Sequence, residues 1–511
     1  MTLRSILSGS RDRPGPPPET AAPDHFADLN LDQIAAAVTR AGGCPASYLH
    51  RPLRDEHAVR FRQEVFRDLE DPRVRQEAER FTTAVAHTRR RLDRVGQLRH
   101  PPQAHRRLLE ILLDHADAVT AFAAGLAQAP VASPGLLALR DDLAAYVRRP
   151  DFHQPCDQAR RLRDRLAAVR FDLLLRDGKV TVARPDPEAR PDYAERVLAL
   201  FERFRHGPPA DPRPGPAADP GLDQVEAGVL DLVVQLCPGL FAEVAAFCDG
   251  HRDLVSDEIA RLDRELRFYL GYLAYLAPVR AAGLPVCYPA VSATDKAFLG
   301  RQVYDLALAA ELAARGGRVV PNDVHLSGAE RILVVSGPNQ GGKTTLSRTF
   351  GQLHHLAALG CPVPGREVRV FLADRILTHY ERAEDPGDLV SKLEDELLRM
   401  RAILQRATPD SVVILNEVFT STTTADARTL SRAVLAEITR LDALCLWVSF
   451  LDELSRYNDK TVSMVSTVAA DDGATRTYRV LRRPADGRAY ARALARRHGL
   501  TYPQLVDRMR R

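Results

Sequence analysis

The segment Ser336–Leu346, SGPNQGGKTTL, follows the aliphatic run RILVV from Arg331 and precedes a helical pattern. Gly337, Gly342, Lys343 and Thr344 satisfy GxxxxGK[ST] without a mismatch. No other feature limits the fold as strongly. A buried strand must enter the loop, the loop must turn its backbone N–H groups inward, and a helix must start at the lysine. Such a loop cradles phosphates: the helix N-terminus adds positive potential, Lys343 meets the β- and γ-oxygens, and Thr344 offers a hydroxyl to Mg²⁺. ATP and Mg²⁺ are the expected ligands, with Gly337, Pro338, Asn339, Gln340, Gly341, Gly342, Lys343, Thr344 and Thr345 as the candidate nucleotide contacts.

A second apolar run, SVVIL from Ser411, ends in Asn416–Glu417. It suits the strand beside the phosphate loop. A glutamate there can polarise an attacking water, and the residue before it is ordinarily an aspartate that holds Mg²⁺ through its water shell. Asn416 keeps an acceptor oxygen but loses the charge, so metal affinity is expected to drop, while Glu417 favours slow hydrolysis over none. Thr344 and Asn416 are the candidate metal residues.

The two halves of the 511-residue chain differ in texture. From about Asp28 to Pro278 the pattern is helical, interrupted by the strand-like GKVTVARPD from Gly178 and by the proline-rich stretch from Gly207. In the run Val255–Leu276, the residues Ile259, Leu262, Leu266, Tyr269, Leu273 and Leu276 line one seam of a long helix. After residue 280, short β-branched runs alternate with helices, as in a parallel sheet with crossover helices, and KTVSMVSTV with TRTYRVLRR reads as an antiparallel hairpin at its edge. The expected organisation is a disordered tail over 1–27, a helical domain over 28–280 with a linker at 207–222, and an α/β domain over 281–511.

Composition excludes several classes. No apolar run approaches the roughly 20 residues that span a bilayer. The seven cysteines show no CxxC pair, which argues for reduced thiols in a cytosolic protein, with Cys287 and Cys361 read as small buried hydrophobes ahead of the alternative, reactive thiols. A net charge of +4 does not itself demand a nucleic-acid partner. The arginine-dense runs His87–Arg107 and Ala159–Arg170 are either phosphate-binding faces or solvated helix surfaces.

With these residues in place, the chain resembles the MutS family of DNA mismatch-repair ATPases. GPNQGGKTT is similar to that family's phosphate loop, and LNEVFTSTTTAD to its Walker B strand and threonine-rich loop, including Thr422, Thr423 and Asp426. ADRIL from Ala373 resembles a short motif between the two, and LWVSFLDELSRY the switch segment. DLVSKLEDEL falls at the signature helix, and the C-terminal AYARALARRHGLTYPQLVDRM looks like a dimerising helix-turn-helix. YLHRPLRDEHAVRFRQEVFRDLEDP from Tyr48 resembles the start of the helical core. The implied fold is an α-helical core and lever region followed by an α/β P-loop ATPase domain of ABC type.

The resemblance implies a cytoplasmic, nucleoid-associated homodimer with no membrane partner. Its composite sites would take Lys343, Thr344 and catalytic Glu417 from one subunit and Ser391 from the other, with Asn322 near the nucleotide. ATP would close the dimer around mismatched, branched or distorted DNA during repair. The chain departs from the family at Asn416, at Phe450 where a switch histidine is expected, and at Val319 where an aromatic would stack on adenine. The mismatch-reading and connector domains find no counterpart ahead of the core motif, so recognition by an aromatic wedge is not expected. A non-catalytic, ATP-gated scaffold recruiting repair or defence proteins is the alternative, favoured by Asn416 and Phe450. An ABC-type motor on a membrane partner would call for an LSGGQ segment, which is not found.

Overall fold

The computed structural model describes residues 2–10, 21–176, 179–185, 222–251, 256–381, 392–469, 475–485, 498 and 500–509. Along the chain, α1 (His25–Asp28), α2 (Leu31–Gly42), α3 (Glu56–Glu70), α4 (Pro72–Val95), α5 (Pro101–Gln128), α6 (Pro134–Tyr146) and α7 (Pro150–Ala167) precede a hairpin of β1 (Asp172–Arg176) and β2 (Lys179–Ala183). Helices α8 (Gln224–Leu236), α9 (Pro238–Gly250) and α10 (Asp257–Ala281) follow. Then come β3 (Val286–Cys287), β4 (Ala290–Ser292), β5 (Phe298–Val303), α11 (Leu306–Ala314), β6 (Asn322–Leu326), β7 (Ile332–Ser336) and α12 (Lys343–Ala358). The chain continues through β8 (Val363–Pro364), β9 (Glu367–Phe371), β10 (Ile376–His379), α13 (Lys392–Arg406), β11 (Val412–Asn416), α14 (Thr424–Leu441) and β12 (Leu444–Val448). It closes with β13 (Thr461–Val468), β14 (Arg476–Arg482) and α15 (Tyr502–Met509). A helical region followed by a mixed α/β region matches the expected order.

Two compact units form, and they do not divide near residue 280. One comprises Glu77–Gln128 and Arg140–Asp263; the other comprises Thr2–Gln76, Ala129–Leu139 and Arg264–Arg511. The first is built by α5, α7 and α9, whose Leu109, Leu112, Leu113, Leu162, Val244 and Phe247 form one buried cluster. The strand-like stretch expected at Gly178 is β2, paired antiparallel with β1. The arginine-dense helices are partly neutralised at home. Arg91 pairs with Asp114, Arg106 and Arg107 with Glu110, Arg160 with Asp117 and Arg165 with Glu243. The charge left for a phosphate backbone is therefore smaller than the arginine count implies. The linker at 207–222 falls, apart from its last residue, outside the described residues.

In the second unit a six-stranded sheet runs β10-β11-β12-β7-β13-β14. Its strands are parallel except β14, which pairs antiparallel with β13 at the edge, as the hairpin pattern predicts. β7, β11 and β12 are buried at every position, the mark of parallel strands covered on both faces. One face is filled by Met400 and Ile403 of α13 and Val434, Leu435 and Ile438 of α14, against Val413, Leu415 and Trp447. Helix α12 packs against β11 and β12. The seam of α10 is buried throughout, from Ile259 at 0% exposure to Leu276 at 0%.

Helices α1–α3 belong to this unit because they are bonded into it. Gln352 Nε2 donates to Leu29 O at 2.9 Å, Arg348 Nε to Asp28 O at 3.1 Å, and Gln63 Nε2 to Pro289 O at 2.9 Å. The N-terminal stretch corrects the expectation of a disordered tail. Leu3, Ile6 and Leu7 are buried, Ser5 Oγ and Ile6 N donate to the Glu265 carboxylate at 2.8 and 2.9 Å, and Tyr269 OH donates to Ile6 O at 2.7 Å. A short apolar patch suffices when an inward-facing glutamate and tyrosine satisfy its backbone. Residues 11–20 of the expected tail are outside the described ones. Replacing Ile6 by Ala is expected to cost about 2–5 kcal/mol in chemical denaturation; a change below roughly 0.5 kcal/mol, as at an ordinary surface site, would show that the segment is not packed.

Candidate functional site

Strand β7 delivers its carboxyl end into the loop 337–342, and α12 starts at Lys343 as the sequence pattern requires. The loop backbone is left-handed at Gly337 (φ 113°), Gln340 (φ 59°) and Gly342 (φ 91°). A Cβ at Gly337 would meet Ser466 O at 2.8 Å, and one at Gly341 would meet Ser466 Oγ at 2.2 Å. Ser466 Oγ in turn donates to Gly341 O at 2.7 Å, so β13 clamps the loop against the sheet. The turn frees backbone N–H groups at a helix N-terminus, where an anion is favoured.

Lys343 is 5% exposed. Its Nζ donates to Gly337 O at 2.9 Å and to Asn339 Oδ1 at 3.1 Å, and lies 3.6 Å from Glu417 Oε1. Burial pulls the ammonium below its ordinary range, and the Glu417 carboxylate opposes that shift. Glu417 directly follows β11 and holds a left-handed backbone (φ 52°), with its N–H donating to Val448 O at 2.9 Å. A non-glycine residue in that region costs free energy and persists only where surrounding structure enforces it. One expectation is corrected by the topology: β11 is not the strand beside β7, because β12 lies between them. The glutamate still reaches Lys343 because it projects from beyond the sheet's carboxyl edge.

The loop opens onto a cavity of about 420 Å³. Of the residues expected at the nucleotide, Gln340, Gly342, Lys343, Thr344, Thr345, Glu417 and Asn322 line it, together with Val319. Asn322 is already committed: its amide donates to Tyr478 O at 3.2 Å and its carbonyl accepts from Val480 N at 2.7 Å. It ties β6 to β14 and leaves little for a ligand. Asn416 is buried beside this site and its Oδ1 has no hydrogen-bond partner. Thr344 and Glu417 bring oxygen donors of the kind a hard divalent cation takes to the cavity wall, whereas Asn416, the other residue expected at the metal, is not among the lining residues. Phe450 is 48% exposed and does not line the cavity. Ser391 lies outside the described residues. Thr423 caps α14, its Oγ1 accepting from Asp426 N at 3.2 Å.

Sequence reasoning missed Tyr478, which lines the cavity from β14 at 52% exposure with a left-handed backbone (φ 57°). It also missed Arg476, whose Nε donates to Asn339 O at 2.9 Å. Both come from the far hairpin, and only their place on a polar edge strand marked them. Cys287 is pushed up to about 11 by burial and Cys361 is driven up further, so neither offers a thiolate. Among the described residues no cluster of His, Cys, Asp and Glu could hold a metal, and no single helix is long and apolar enough to cross a membrane.

Residues 333–501 match the family model for MutS domain V. The chain is 32% identical over 189 residues to an endonuclease MutS2 of Gemmatimonas aurantiaca, covering 36% of this chain and 23% of that protein. It is 32% identical over 168 residues to a DNA mismatch repair protein MutS of Shouchella clausii, covering 32% and 19%. A DNA mismatch repair protein MutS 2 of Halobacterium salinarum is 32% identical over 196 residues, covering 37% and 22%. The matched segment thus spans between 19% and 23% of the length of these three relatives. Residues 333–501 thus match MutS domain V, and over this part of its length the chain is similar to proteins of the MutS family.

Proposed function

We propose that this chain is an ABC-type P-loop ATPase of slow turnover that dimerises and grips mismatched, branched or otherwise distorted DNA. The observation that carries the reading is the buried Lys343 ammonium, held between loop oxygens and Glu417 at the mouth of a cavity of nucleotide size. A phosphate in the loop offers Lys343 a stronger partner than Gly337 O and Asn339 do. Taking that ammonium away from Glu417 frees the carboxylate to accept a proton from water. Tyr478 and Val319 flank the same cavity and give an adenine an aromatic and an aliphatic surface. Thr344, and Asn416 through water, would hold magnesium, which would neutralise phosphate charge there. Ser391 of a partner copy completes the site in this reading. Binding to distorted DNA would rest on phosphate contacts and shape, in the cytoplasm and on the nucleoid.

Asn416 and the exposed Phe450 support a second reading, an ATP-gated scaffold that recruits other repair or defence proteins. Steady-state turnover separates the two. Glu417→Gln should lower kcat by roughly 100-fold or more while ATP still binds, and Lys343→Ala should lose ATP binding. Equal rates for Glu417→Gln and the unmodified chain would leave the scaffold. Filter binding of homoduplex, mismatched and four-way-junction DNA at low salt, with and without ATP, tests the partner. Tighter retention of the distorted forms is expected, and no affinity for any of them would remove DNA from the account.

A further inference from the structure

A second cavity, of about 540 Å³, lies within the same compact unit. Helix α12 connects the two sites: Lys343 in its first turn serves the phosphate loop, and His354 and His355, about 17 Å farther along the axis at 1.5 Å per residue, line the second cavity. Four arginines, Arg51, Arg54, Arg375 and Arg406, stand around it against two carboxylates, Asp24 and Asp374. The surplus is positive and part of it is unspent. Arg54 Nη2 donates to Asp374 O at 2.7 Å, Arg375 Nε to Asp374 Oδ2 at 3.0 Å, and Arg406 Nη1 to Asp24 Oδ2 at 3.1 Å. Each guanidinium has five donors, so these bonds leave further N–H groups on every one. Arg51 is exposed and makes no hydrogen bond or ion pair among the described residues.

The interior of this cavity is imidazole and aliphatic. His355 Nε2 donates to Leu49 O at 2.8 Å, and its Nδ1 lies 3.3 Å from His25 Nε2. His354 Nδ1 donates to Phe350 O at 2.8 Å, which makes Nε2 the acceptor; that nitrogen is buried and has no partner. Burial keeps His354 and His355 neutral down to about 4 and His25 to about 3. These three imidazoles therefore add no positive charge at neutral pH, and the arginines at the rim carry the site's cationic character.

We propose that this cavity binds a nucleoside monophosphate, its phosphate taken by the arginines at the rim and its nucleoside filling the rest of the volume. Guanidinium forks match phosphate oxygens in pairs. A bare phosphate would leave most of the volume and the imidazole floor unfilled, whereas 540 Å³ lies within the range of small-molecule pockets. This site is separate from the phosphate loop and does not depend on the ATPase reading.

Isothermal titration of the full chain carrying Lys343→Ala, with AMP, GMP, CMP, UMP and inorganic phosphate as probes, tests the proposal. At least one mononucleotide should bind once per chain with a sub-millimolar Kd, and inorganic phosphate at least tenfold more weakly. Adding Arg51→Ala, an exposed change that leaves the fold intact, should weaken that binding by about tenfold or more. Should Lys343→Ala fail to fold, the same titration on the unmodified chain should show a component removed by Arg51→Ala while ATP binding persists. No binding by any of the four mononucleotides, equal binding of inorganic phosphate, or indifference to Arg51→Ala would each overturn the proposal.

Discussion

A buried ammonium has to be surrounded by oxygen, and that requirement organises the α/β unit. Lys343 can be 5% exposed only because Gly337 O, Asn339 Oδ1 and the Glu417 carboxylate stand around it. Those groups come from separate places in the chain. The loop oxygens require the left-handed turn at Gly337 and the clamp from Ser466 on β13, and the carboxylate requires a left-handed Glu417 at the end of β11. Two parallel strands and an edge hairpin therefore have to be in register before one lysine is satisfied. The arrangement is also replaceable: any strong anion that enters the loop competes for the same ammonium.

The packing of α1–α3 extends that logic away from the site. Helix α12 carries Lys343 at one end, and its middle is fixed by Gln352, which donates to Leu29 O and to Asp305 Oδ1 and accepts from Leu306 N at 2.8 Å. Leu29 also lies so close to Gly351 that a Cβ there would meet its Cδ1 at 2.5 Å. A helix locked this way cannot shift without disturbing the segment that precedes α2. This is why residues before Gln76 belong with the α/β part although their sequence texture is helical.

What could be read from the sequence was what local pattern determines. The loop glycines, the buried strands, the seam of α10 and the β13–β14 hairpin each announce themselves within a dozen or so residues. Contacts made across long stretches of chain were not legible. Nothing near Ile6 reveals that Glu265 will receive its N–H, and nothing near Asn322 reveals that β14 will occupy its amide. Strand order was equally hidden: β12 enters between β7 and β11 although it follows both in the chain. Arginine density left two readings open in the same way, because the carboxylates that pair with Arg160 and Arg165 sit on other helices. Tyr478 lines the same cavity as Val319, supplied by the hairpin and visible only once the sheet is closed.

The central claim is that the loop around Lys343 is a phosphate cradle. Amide hydrogen exchange of the full chain, with and without ATP and magnesium, tests it at the backbone where the claim is made. Peptides covering 337–346 should become strongly protected when nucleotide is present, with a smaller change at 412–419 as Glu417 gives up Lys343. Unchanged exchange across 337–346 at saturating nucleotide would contradict the account.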